Sequence, residues 1–243
     1  MITRRAALVV LALATTVAAC ASTPTRPVAA VPSTPTLSNG VAWVQKSAEY
    51  HALILQAYRY ATERVEAAVA GRQAGSWAVV LDADETVISN LVYQVERERL
   101  GLAYSTESWA AWVKRREAIP LPGAATFLSR VRALGGHVAI VTNRLESECA
   151  DTEAVFVRHQ LAFDVILCRP DGSPSDKNPR FARVAAGTWP GARGPATVVA
   201  FVGDNILDFP AVSQGIRSQG DGAFSAFGRE FFVMPNPMYG SWQ

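Results

Sequence analysis

The chain has 243 residues, 49% of them hydrophobic, which is enough to bury the core of one domain and too apolar for a disordered chain. Its 23 Lys+Arg stand against 21 Asp+Glu with no basic block or stripe, which argues against a polymer of nucleic acid as partner. His51, His137 and His159 lie far apart and offer no zinc-ligand spacing.

Residues 1–19 read as an export signal: Arg4 and Arg5, an apolar stretch from Ala6 to Ala14 too short to span a bilayer, then small residues up to Cys20. Val17-Ala18-Ala19-Cys20 resembles a bacterial lipobox, in which the cysteine sulfur receives a diacylglycerol, so a membrane anchor on Cys20 is expected; a plain signal peptide is the alternative. Thr3-Arg4-Arg5 leaves both the general and the twin-arginine export routes open. Ala21 is not the Asp associated with inner-membrane retention in some bacteria, which favours the outer membrane, on its periplasmic or surface side. Residues 20–39, rich in Thr, Pro, Ser and Ala without a hydrophobic period, suit a flexible tether. Loss of residues 1–19 removes Arg4 and Arg5 and no acid, leaving a near-neutral domain of 21 Lys+Arg and 21 Asp+Glu over residues 40–243 and its short lead.

Trp43, Tyr50, Ile54, Ala57, Ala61, Val65 and Ala68 recur at helical spacing and predict one amphipathic helix from about Val41 to Ala70, closed by Gly71 and Gly75. Trp77 to Leu81 is an apolar run that predicts a buried strand, followed at once by Asp82-Ala83-Asp84-Glu85-Thr86. The stretch 94–122, charged at Glu96 to Arg99 and helical around Ser108 to Glu117, reads as a small inserted cap. Further helices are expected at Gly123 to Leu134, Glu146 to His159 and Asn205 to Ser218, and further strands at His137 to Val141, Val165 to Cys168, Val198 to Val202 and Phe231 to Met234. This alternation predicts a parallel sheet covered on both faces, with its site at the carboxyl ends of the strands. Cys149 and Cys168 are compatible with a disulfide or with two buried thiols.

Those strand ends carry Asp82 and Asp84, then Thr142-Asn143-Arg144, then the loop with Lys177, then Gly203-Asp204-Asn205 with Asp208. Each alone is weak, since a strand-end Thr is usually a helix cap, a loop Lys is usually solvated and Gly-Asp-Asn is a common turn. In this order they are complementary parts of a phosphoryl-transfer site, and they resemble the four motifs of the haloacid dehalogenase superfamily. More narrowly the chain is similar to class C acid phosphatases, the outer-membrane lipoprotein branch. Val80-Leu81-Asp82-Ala83-Asp84-Glu85-Thr86 with Asn90 and Tyr93 matches one signature of that class, and Gly203 to Phe209 matches the other. Thr142 to Arg144 and Lys177 to Arg180 supply the Thr-Asn-Arg and Lys-x-x-Arg elements, and the likeness extends over Trp43 to Tyr50 and Pro235 to Trp242. Ala83, where a bulkier apolar residue is usual, and Ile88, where Leu is usual, depart from the pattern.

The resemblance implies an α/β fold, a HAD-like Rossmannoid parallel sheet with helices on both faces and a small helical cap. It implies hydrolysis of phosphate monoesters, nucleoside 5'-monophosphates foremost, through an aspartyl phosphate. Mg²⁺ would be held by the Asp82 side chain, the Asp84 backbone carbonyl and Asp204. Asp82 would be the nucleophile and Asp84 the proton donor and later acceptor. Thr142 and Asn143 would hydrogen-bond phosphoryl oxygens, Lys177 would offset charge, and Asp208 would orient metal waters or Lys177. Trp109 and Tyr239 would clamp a nucleobase, unless these rings only pack the cap. Two rivals are a signalling receiver domain, whose acidic pair would precede the acceptor by a strand, and a catalytically weak surface lipoprotein that binds nucleotide or another ligand.

Overall fold

The computed structural model describes residues 36–243; the expected export signal at residues 1–19, Cys20 and the expected tether up to residue 35 lie outside the described residues. Helices α1 (Asn39–Lys46) and α2 (Ala48–Val69) lead into β1 (Trp77–Leu81). After β1 come a short strand β2 (Ile88–Ser89), helices α3 (Leu91–Arg99) and α4 (Thr106–Arg115), and a short strand β3 (Ile119–Pro120). Then follow α5 (Ala124–Ala133), β4 (His137–Leu145), α6 (Cys149–Arg158), β5 (Val165–Arg169), α7 (Asn178–Ala186), β6 (Thr197–Gly203) and β7 (Phe231–Val233).

The main sheet has the order β5-β4-β1-β6-β7, and every pairing in it is parallel. Parallel strands must be covered on both faces, and β1 is buried along its whole length at the centre. Because side chains alternate across a strand, Trp77, Val79 and Leu81 join the core packed by Ile54 and Val65 of α2, Phe127 of α5 and Phe156 of α6, while Ala78 and Val80 face Phe181 and Val184 of α7. Burial of each such large apolar side chain contributes about 1.5–3 kcal/mol. Every chain crossover thus returns β strands in the same direction, and their carboxyl ends meet on one edge of the sheet.

The cap is an excursion between β1 and α5. Its neck is an antiparallel ribbon in which Ile88 pairs with Pro120 and Ser89 with Ile119. α3 begins at Leu91, ahead of Gln94, and its last turns carry the charged run Glu96 to Arg99. α4 is closed at its start by a capping box between Ser105 and Ser108.

Several elements differ from the expectation. The first helix is two, because the Ser47 hydroxyl accepts from the Tyr50 N–H at 3.1 Å and caps a new helix while Ser47 itself is extended; the apolar period runs on because Trp43 and Tyr50 pack edge to face across the break. β4 runs on to Leu145, so Thr142-Asn143-Arg144 lies in an irregular end of the strand, where its register with β5 shifts between Val141 and Leu145. Asn205 to Ser218 is no α-helix: it forms 3-10 turns at Ile206–Asp208 and Gln214–Ser218. The Asn205 side chain accepts from Leu207 N–H, Pro210 has no N–H to give, and Ala211 is left-handed at φ 56°. α7 stands directly after Lys177, where the sequence reads as a loop. Its signals are Pro179 in the first turn and Gly187 after the last, where φ is +63° and a Cβ would meet the Gly194 carbonyl oxygen at 1.9 Å.

Candidate active site

Where β1 ends, Asp82 N–H still donates to Val202 C=O of β6 at 3.0 Å, and the chain then turns sharply. The turn is closed by backbone: the Ala83 carbonyl accepts from both Val87 and Ile88 N–H at 2.9 Å, and the Ala83 methyl is fully buried beneath it. Glu85 takes the left-handed conformation at φ 52°, a cost of about 1–2 kcal/mol for a residue with a Cβ. What holds it there is its fully buried carboxylate, which accepts from Asn90 N–H at 2.7 Å, Asn90 Nδ2 at 3.2 Å, Ser89 Oγ at 3.3 Å and Tyr239 Oη at 3.4 Å. Burial pushes the Glu85 carboxyl up to about 7, against the pull of the Asn90 hydrogen bond. Sequence reasoning passed over Glu85 as a site residue; it clamps the loop that carries Asp82 and Asp84.

Four strand ends then converge. Lys177, buried at the start of α7, donates to Asp82 Oδ1 and to Asp208 Oδ1, the latter at 2.6 Å. Asp208 Oδ2 accepts from Asn205 N–H at 2.9 Å, so both of its oxygens are engaged and the carboxylate fixes Lys177. Gly203 makes room for this: a Cβ there would lie 2.3 Å from the Asp208 Cβ. Asp204 accepts from Asn236 Nδ2 at 2.8 Å and from Thr86 Oγ1 at 3.4 Å. Oxygens of Asp82, Asp204 and Asp208 all lie within 4.8 Å of one another.

Electrostatically the cluster is short of positive charge. Burial pushes Asp82 up to about 7, opposed by the charge of Lys177 and reinforced by Asp208 and Asp84. Asp204 is also raised, by burial first and then by Asp208 and Asp82. Burial works against the Lys177 ammonium, but Asp208 and Asp82 outweigh it and hold Lys177 above the ordinary lysine value. Asp82 and Glu85 bind protons in the folded state between the ordinary carboxylate value and about 7, so folding takes up protons there and stability falls as pH rises through that window; the Lys177 contribution is intact throughout it. The metal-free protein is therefore expected to melt lower at about pH 7.5 than at about pH 5.5 in thermal unfolding; an equal or higher melting temperature at the upper pH would refute this.

Asp84 faces the other side of the cleft. Its carboxylate accepts from Arg144 Nε at 3.0 and 3.1 Å, Arg144 Nη2 at 2.7 Å and Asn90 Nδ2 at 2.7 Å. Arg144 is itself buried, donates to Thr152 Oγ1 at 3.2 Å, and lies 5.4 Å from the Trp109 ring of the cap. Asn143 is held from behind: its Oδ1 accepts from Arg180 Nη2 at 2.7 Å, which leaves the Nδ2 donors facing the cleft. Arg180 Nη1 also donates to the Thr142 carbonyl. Thr142 is fully buried below the cleft wall, its Oγ1 accepting from Arg144 N–H at 3.2 Å.

One cleft of about 510 Å³ brings together Asp82, Asp84, Asn143, Lys177, Asp204 and Asp208 with the rings of Trp109 and Tyr239. Its size suits a small organic ligand. A larger groove of about 1500 Å³ runs along α2, yet none of the strand-end residues above lines it. Trp109 also packs edge-on against Tyr93 at 5.3 Å, so it serves the cap core and the cleft at once. Within the cleft wall, the partners of Arg144 and Arg180 do not follow from the sequence; Asp84 lies 60 residues from Arg144, and the fold joins them.

Cys149 at the start of α6 and Cys168 in β5 form a disulfide, which closes a loop of 19 residues. It ties the segment after Arg144 to the strand that leads toward Lys177, and a loop of this length contributes about 3 kcal/mol in the chain-entropy model. Among the described residues no helix is long and apolar enough to cross a membrane.

The chain is similar in structure to the class C acid phosphatase from Bacillus anthracis, at 28% identity and a TM-score of 0.71 over 84% of each chain. It is similarly close to that class C enzyme with tungstate bound, at 29% identity and a TM-score of 0.72, again over 84% of each chain. A family model described as HAD superfamily, subfamily IIIB (acid phosphatase) matches residues 5–242. A match of that extent, on a sheet whose strand ends assemble these acids around Lys177, means that the chain belongs to the subfamily IIIB acid phosphatases of the HAD superfamily and is a phosphoric monoester hydrolase.

Proposed function

We propose that the protein hydrolyses nucleoside 5'-monophosphates with Mg²⁺ as cofactor, through an aspartyl phosphate on Asp82. The observation that carries this reading is a single cleft lined by Asp82, paired with Lys177, together with the rings of Trp109 and Tyr239. The related Bacillus anthracis enzyme binds tungstate, a tetrahedral oxyanion shaped like phosphate.

The donor set fits a hard divalent cation. It is all oxygen, and three carboxylates stand against the single ammonium of Lys177, with burial raising Asp82 and Asp204. Asp208 is taken up by Lys177 and Asn205 N–H, so Asp82 and Asp204, with the Asp84 backbone carbonyl, would hold the ion. When bound, the ion supplies the charge neutralisation that lets a phosphate dianion approach a carboxylate.

The chain's own residues supply the rest. Lys177 occupies Asp82 Oδ1 and leaves Oδ2 to attack phosphorus in line with the leaving oxygen. Asn143 Nδ2 and Lys177 donate to the phosphoryl oxygens, while Thr142, expected from the sequence to do the same, is buried below the cleft wall and supports the strand end that presents Asn143. Asp84 gives its proton to the leaving oxygen as the P–O bond breaks, so an alcohol departs, and then takes a proton from the water that cleaves the aspartyl phosphate and regenerates Asp82. Trp109 and Tyr239 stack on the base, which tolerates different bases.

Phosphate release from a nucleoside 5'-monophosphate, measured with Mg²⁺ and with chelator, tests the reading. Activity should require the ion, and Trp109→Ala should raise KM for the nucleotide about tenfold or more while p-nitrophenyl phosphate is little affected, given stacking worth about 1–3 kcal/mol. Equal loss on both esters would contradict the base clamp. For location, the reading is a lipoprotein anchored through Cys20 in the outer membrane, supported by Val17 to Cys20 and Ala21. Cys20→Ser should move the protein from the membrane to the soluble fraction, and retention of that variant in membranes would refute the anchor.

A further inference from the structure

The structure assigns to Arg144 the task of positioning Asp84, so that Oδ2 of Asp84 is the oxygen that carries the transferred proton. This rests on the reading of Asp84 as proton donor, and it deepens that reading to one atom and one supporting side chain.

The hydrogen bonds to Asp84 are unequal. Oδ1 accepts from Asn90 Nδ2 at 2.7 Å, from Arg144 Nη2 at 2.7 Å and from Arg144 Nε at 3.0 Å. Oδ2 accepts only the long branch of the Nε bond, at 3.1 Å. An oxygen already surrounded by three donors has no room for a hydroxyl proton that must reach a substrate, whereas Oδ2 does. The fork also fixes the plane of the carboxyl group, because Nε and Nη2 of one rigid guanidinium contact it together.

Arg144 is in turn held on every side. Its side chain is 1% exposed, Nη1 donates to Thr152 Oγ1 of α6, and Nη2 donates to Asn90 Oδ1 at 3.1 Å. That same Asn90 oxygen accepts from the indole Nε1 of Trp112 in α4 at 2.8 Å, and Trp109 of α4 covers the guanidinium. The cap therefore braces the donor through Arg144 and Asn90, joining the lid to the proton-transfer step. Arg144 acts through Asp84 and is a positioning residue.

The distinguishing measurement is kcat/KM, which reports steps up to loss of the leaving group, for two esters. One is p-nitrophenyl phosphate, whose leaving group departs without a proton; the other is the alkyl phosphate that the wild-type protein hydrolyses fastest. Asp84→Asn first decides the donor reading: it should lower kcat/KM for the alkyl ester about 10²–10⁴-fold and leave the aryl ester within about fivefold, whereas equal loss on both removes the donor reading. Arg144→Met then decides the positioning role. It should show the same selective loss, about 10²-fold on the alkyl ester, and the double variant should be no worse on that ester than Asp84→Asn alone. Equal loss on both esters, or an additive double variant, would overturn the proposal. Arg144→Lys keeps the charge without the fork and covers the case in which the Met variant does not fold; it should remain selectively impaired, and full alkyl-ester activity in it would also overturn the proposal.

Discussion

Replacing Asp82 by Asn is expected to lower phosphate release on the order of 10⁴-fold or more while the protein stays folded and still binds substrate. The amide has nearly the same shape, so the end of β1 and the backbone bond from residue 82 to Val202 are kept. Lys177 keeps Asp208 as its partner, and the charge deficit of the cluster is eased by one. What is lost, on the proposed mechanism, is the carboxylate that would attack phosphorus beside Lys177. Spontaneous hydrolysis of phosphate monoesters is so slow, with enhancements up to about 10²¹ for this class, that little residual rate can come from other groups. The check is steady-state release with both an alkyl and an aryl ester, together with a thermal melt. Activity within about tenfold of wild type would remove Asp82 from the nucleophile's role.

Lys177→Met should be the second severe loss, and it should show in both activity and stability. The ammonium lies buried between Asp82 and Asp208 and donates to both. Removal leaves three buried carboxylates without their cation, and breaking a buried pair in this way costs about 3–5 kcal/mol. The carboxylates relieve part of that cost by binding protons, so the destabilisation should be larger at about pH 7.5 than at about pH 5.5. On the proposed mechanism the same ammonium would donate to the phosphoryl oxygens, and losing one such donor costs about 10²–10³-fold in kcat. Chemical denaturation at both pH values and kcat on one ester check the two effects. A variant with wild-type stability at both pH values would show that the Lys177 contacts do not hold the cluster together.

Much of the fold was legible because burial of parallel strands on two faces writes continuous apolar runs such as Trp77 to Leu81, Val198 to Val202 and Phe231 to Met234. The elements misread were those where local chemistry overrides periodicity. Ile206, Leu207, Phe209 and Val212 have a helical look, yet the Asn205 cap and Pro210 break the chain into 3-10 turns. α7 turns only a narrow face to the core through Phe181 and Val184, too few apolar positions for a period to stand out. Ser47 divides what reads as one helix, since a hydroxyl cap costs the apolar pattern nothing.

The site was legible as residue types at strand ends, because a phosphoryl group needs carboxylates, an ammonium and hydrogen-bond donors from several loops at once. Partnerships were not. That Arg144 serves Asp84, that Arg180 turns the Asn143 amide, and that Glu85 ties Asn90 to Tyr239 depend on contacts between segments far apart in the chain. The pairing of Cys149 with Cys168 likewise needed their separation in space, which spacing along the chain does not carry.

The covalent step is tested most directly with Asp84→Asn and p-nitrophenyl phosphate in the presence of Mg²⁺. On the proposed mechanism the aryl leaving group departs without a proton, while hydrolysis of the intermediate would lack its base, so the phosphorylated enzyme should accumulate. Acid quench followed by peptide mapping should find one phosphoryl group on the peptide that contains Asp82. A burst of p-nitrophenol with no phosphoryl group on that peptide, or with the group on another residue, would contradict the account.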